Sequence, residues 1–92
     1  MPKQLKSFWN KYGFIIGSKN RMIVLKELDT PKTPLQLTQK TNLGMNMTSR
    51  ALRELEKEGI VECKNPEAKV GRVYDLTDLG KEILKKIAKD WF

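Results

Sequence analysis

Apolar residues recur along this chain in two rhythms, helical up to residue 58, alternating over a short stretch after it, then helical again. Leu5, Phe8, Trp9 and Tyr12 fall at i, i+3, i+4 and i+7 and predict one stripe of a helix over Lys3 to about Tyr12. Gly13 and Gly17 bracket the short apolar segment Phe14 to Ile16, which predicts a break. Ser18 suits the N-cap of a second helix, Lys19 to Leu28, with Met22, Leu25 and Leu28 facing inward and Ile23 and Val24 widening the buried face. Pro31 ends it, because proline keeps the preceding residue out of helical geometry.

The next signals are sharper. Thr33-Pro34-Leu35-Gln36 has a capping threonine, a proline at the first helical position and a glutamine where a capping box needs one. A short helix, Pro34 to Thr41, follows, and Asn42-Leu43-Gly44 makes a tight turn. A fourth helix, Met45 to Glu58, turns Thr48, Ala51, Leu52 and Leu55 inward and stops at Gly59. Ile60 to Cys63 and Arg72 to Leu76 have strand character, and Asn65 to Gly71 join them as a loop. Thr77 caps a last helix, Asp78 to Trp91, in which Leu79, Ile83, Ile87 and Trp91 recur every four residues. Two helices joined by a three-residue turn are a helix-turn-helix, and a hairpin straight after the second is a wing. The predicted fold is mainly α with a small β-hairpin. It is a single winged-helix domain over residues 1–92, with the helix-turn-helix at about 34–58 and the wing at about 60–76. Terminal helices at about 3–12 and 78–91 are added to it.

Composition narrows the chemistry. The 92 residues make one domain with a modest core. The net charge is +7 and favours a polyanionic partner. There is no histidine and a single cysteine, Cys63, so an internal disulfide is impossible and a structural zinc site, which needs about four such ligands, is not expected. The commonest general base is missing, and carboxylates and lysines form no recognisable catalytic constellation, so an enzyme is not expected. No apolar run approaches the roughly 20 residues of a membrane span, and a cytoplasmic protein with no membrane partner, cofactor or small-molecule effector is the expectation.

Three stretches carry a family likeness: Leu35 to Leu43, Met47 to Val61, and Tyr74 to Gly80. In this order and spacing they resemble the winged-helix transcriptional regulators of prokaryotes, in the broad MarR, PadR and ArsR superfamily. The resemblance implies a recognition helix in the major groove of double-stranded DNA and a wing on the flanking backbone or minor groove. The alternative is a winged-helix module used for protein or RNA contact within a larger complex.

The recognition helix leaves Asn46, Met47, Ser49, Arg50 and Arg53 on outward faces. Arg50 and Arg53 lie in its first two-thirds, and Glu54, Glu56 and Glu58 crowd its end, against the preference of the helix dipole. That order makes sense if the amino-terminal half meets DNA. Arg50 is then the candidate for guanine, Asn46 for adenine, Ser49 for base or phosphate, and Arg53 for the backbone. Lys64, Lys69 and Arg72 lie on or beside the wing loop, although Arg72 shares a strand face with the core candidates Tyr74 and Leu76. The stripes Leu5, Phe8, Trp9, Tyr12 and Ile83, Ile87, Trp91 are too apolar to leave wet, which predicts a homodimer built from the terminal helices. Cys63 reads as a small buried hydrophobe, with a redox sensor as the alternative.

Overall fold

The computed structural model describes residues 3–91, and the side chains of residues 8–90. The elements are α1 (Lys3–Ile16), α2 (Lys19–Glu27), α3 (Pro34–Thr41), α4 (Met45–Lys57), β1 (Val61–Cys63), β2 (Tyr74–Leu76) and α5 (Asp78–Trp91). This is a winged helix. Helix α2 packs on both α3 and α4, while α1 and α5 pack on each other and on α2.

Local chemistry sets most of the boundaries. The Ser18 hydroxyl accepts from the Arg21 amide at the start of α2. Thr33 and Gln36 form a complete capping box, each side chain bonded to the other residue's backbone amide (3.2 and 2.8 Å). Asn42 closes α3 in the left-handed region at φ 62°. At the end of α4 the chain must turn sharply into β1, and Gly59 does this at φ 73°, where a side chain would be strained. The α1 boundary differs from the expectation: the helix does not break at Gly13 but continues to Ile16. Ile15 is the reason, since its side chain is wholly buried and continues the stripe of Phe8 and Tyr12 by another turn.

The hairpin is antiparallel, pairing Val61 with Leu76, Glu62 with Asp75 and Cys63 with Tyr74. It is shorter than the alternation suggested. Ile60 lies outside the ladder, and the Val73 amide is taken by the Asn65 side chain (2.7 Å). A further pairing comes from the α2–α3 connection, where Lys32 and Tyr74 exchange both backbone bonds (3.0 and 2.8 Å). The linker thus borders the hairpin and ties the wing to the start of α3.

One continuous core runs from α1 to α5 and includes Ile15, Leu25, Leu28, Leu37, Leu52, Leu55, Ile60, Ile83 and Ile87. Its buried polar residue is Thr48, whose hydroxyl accepts from Thr38 (3.1 Å) and pins α3 to α4. The burial of Ile83, Ile87 and Tyr12 corrects the expected dimer face. These side chains fill this chain's own core, because α1 and α5 close on each other, and the Tyr12 hydroxyl donates to Asp90 across that seam (3.0 Å). Of the expected stripes, Phe8 and Trp9 keep exposed surface, while the side chains of Leu5 and Trp91 lie outside the described residues.

Candidate nucleic-acid interface

Helix α4 is held from behind by its acids. Arg21 of α2 donates to Glu54 (2.8 Å), and Lys11 of α1 pairs with Glu58 (2.9 Å). The Arg21 guanidinium also donates to the Phe14 carbonyl (2.8 Å) and stacks on the Phe14 ring, so one side chain joins α1, α2 and α4. Its hydrogen bond holds the Glu54 carboxyl below the ordinary range of a glutamate. Glu54 and Glu58 therefore anchor the end of α4 to α2 and α1.

The bases of α4 behave differently. Asn46, Met47, Arg50 and Arg53 are exposed and Ser49 is half-buried. Among the described residues neither Arg50 nor Arg53 makes a hydrogen bond or an ion pair. With Glu54 and Glu58 paired and both guanidinium groups exposed and without an ion pair, α4 keeps two cations available at its surface, and Arg50 lines the same hollow as Glu54.

The wing is divided. Lys69 is exposed on the loop. Lys64 is paired with Glu62 (2.9 Å), which raises its pKa. Arg72 is half-buried; its Nε donates to the Cys63 sulfur (3.3 Å), which raises its pKa, and its guanidinium lies 5.8 Å from the Tyr74 ring centre. Arg72 is thus positioned by the fold, through the strand face it shares with Tyr74. Asn65 shapes the loop, accepting from the Val73 amide and donating to the Gly71 carbonyl (3.1 Å). Cys63, expected to be buried, is half-buried and supports Arg72.

Two hollows join these parts. One, of about 200 Å³, lies between the start of α2 and α4 and brings Ser18 and Asn20 alongside Met47 and Arg50. The other, of about 350 Å³, is largely apolar and sets the wing residues Lys69 to Arg72 beside Leu35 and Met45. Asn20 and Leu35 were not among the residues expected to bind DNA. Their sequence signal is only that of a polar residue after a cap and an apolar residue in a first turn. Their place beside α4 comes from packing.

A family model described as HxlR-like helix-turn-helix matches residues 15–91. The chain belongs to the HxlR-like helix-turn-helix family. The match covers the helix-turn-helix, the wing and α5 of this HxlR-like chain, and thereby every residue considered above from Ile15 onward. Among solved structures, the chain is similar to a MarR family transcription regulator, at 28% identity and a TM-score of 0.71 over 79% of its length. The chain spans about half of that protein, 50% of its length. No curated protein matches the chain. The expectation of a winged-helix regulator family is met, and the family is now specified as HxlR-like. No helix of the described residues is long and apolar enough to cross a membrane.

Proposed function

We propose that this chain is a transcriptional regulator that binds double-stranded DNA sequence-specifically. The amino-terminal half of α4 enters the major groove, and the wing lies on the flanking backbone or minor groove. The observation that carries this reading is the inventory of charge on α4: Glu54 and Glu58 are paired with Arg21 and Lys11, while Arg50 and Arg53 are exposed and make no ion pair among the described residues. Membership of a helix-turn-helix family and similarity to a MarR family transcription regulator support it. Arg50 contacts a base edge, Asn46 and Ser49 assist it, and Arg53 and Lys69 meet phosphates. Lys64 and Arg72 contribute charge from fixed positions.

One recognition helix reads few base pairs, so a homodimer is part of the proposal, with half-sites about 34 Å apart or a multiple of that. With Ile83 and Ile87 buried, the exposed apolar side chain among the described residues of the expected stripes is Trp9, with half-buried Phe8 against it edge to face at 5.3 Å. The test is duplex binding across a salt series. Affinity should fall by about 0.9 log units per log unit of salt for each phosphate neutralised. A flat response would exclude DNA as the partner.

A further inference from the structure

Five large apolar side chains stand exposed among the described residues: Trp9, Leu35, Met45, Met47 and Val70. Trp9 belongs to α1; the other four lie at the start of α3, at the start of α4 and on the wing loop. They are interleaved with the free cations Arg50, Arg53 and Lys69. Phosphate contact alone gives such a surface no use for apolar groups, and Met47 keeps 50% of its surface open. In the major groove a duplex offers one apolar feature, the C5-methyl group of thymine.

We propose that Met47 reads a thymine methyl beside the base pair contacted by Arg50. This rests on the DNA-binding function proposed above and adds a specificity residue to it. Met47 and Arg50 are one turn apart on the outer face of α4, and both line the same hollow against α2. A groove-bound guanidinium therefore brings the thioether chain down onto a neighbouring base. The unbranched, polarisable methionine side chain adapts to the position of a methyl group without a fixed rotamer. The occupant follows from charge: among the described residues Arg50, Arg53 and Lys69 make no ion pair, while Glu54, the acid of the hollow, is held by Arg21, which suits a duplex and not an apolar peptide.

The test begins with selection of a preferred site from a random duplex library, using the full chain. That site is then resynthesised with deoxyuridine replacing one thymine at a time, which removes only the methyl group. At one thymine in each half-site the replacement should weaken binding about fourfold, the worth of one buried carbon. The same replacement should leave the affinity of Met47→Ala unchanged. Met47 is exposed, so the variant keeps its core, and circular dichroism checks this. If deoxyuridine has no effect at any position of a well-defined site, or weakens Met47→Ala as much as wild type, Met47 does not read the methyl group and the DNA-binding function stands. If no duplex is bound at all, both readings fall.

Discussion

Gly80 and Gly13 both lie inside helices, and the same substitution should move stability in opposite directions at the two sites. Helix propensity alone favours Ala over Gly by about 1 kcal/mol at either position. At Gly13 a Cβ would meet nothing within 4 Å, so Gly13→Ala should gain about that amount, raising the melting temperature by about 4–8 °C. At Gly80 a Cβ would fall on the carbonyl oxygen of Ile60, a backbone atom that cannot rotate aside. Relief requires α5 to move away from the α4–β1 junction. That junction is bonded: the Ile60 carbonyl accepts from the Thr77 amide (3.0 Å) and hydroxyl (3.1 Å), and the same hydroxyl accepts from the Gly80 amide (3.1 Å). Overpacking costs about 1–3 kcal/mol, and each hydrogen bond stretched costs about 1 kcal/mol more. Set against the propensity gain, Gly80→Ala should be destabilised by about 2–4 kcal/mol, a large share of a small domain's stability. Urea unfolding followed by circular dichroism decides it. A Gly80→Ala protein as stable as wild type would refute the close approach of α5 to Ile60.

Further outcomes follow from the same contacts. Arg50→Ala should lose about 1–3 kcal/mol of binding and relax preference at one position of each half-site, whereas Lys69→Ala should weaken all duplexes alike; competition with random DNA separates the two. Ile87→Ala should cost about 2–5 kcal/mol of folding stability, because the side chain is wholly buried in its own chain, whereas Trp9→Glu should leave the fold standing and yield a monomer by light scattering. An unchanged dimer in Trp9→Glu would remove Trp9 from the interface. The Arg21 pair holds the Glu54 pKa below its ordinary value near 4.5, so its stabilisation is present above that value and lost as pH falls through the lower folded value. The stability deficit of Glu54→Gln should thus be larger at about pH 7 than at about pH 3; an equal deficit at both would show that the ion pair contributes nothing.

Periodicity and capping made the fold legible in the sequence. Both are local: Ser18, Thr33 with Gln36, Asn42, Gly59 and Thr77 act on backbone groups within a few residues, and apolar spacing reports which side of a helix is buried. What lies against a buried stripe is not local. Ile83 and Ile87 were expected at a dimer interface because an apolar stripe needs a partner, and the closure of α1 on α5 supplies that partner within the chain. Ile15 drew α1 through Gly13 for the same reason, since its burial needs partners distant in the chain. The pairing of Lys32 with Tyr74 had no pattern to announce it, because a single bridging residue shows no alternation. The candidate interface divides along the same line. The outward residues of α4 follow from its helical period, but charge along the chain cannot tell which cations are free. Arg72 could be set apart by the strand face it shares with Tyr74, but Lys64, Arg50 and Arg53 are alike in sequence. The folded wing bound Arg72 to Cys63, a local contact bound Lys64 to Glu62, and Arg50 and Arg53 were left without an ion pair among the described residues.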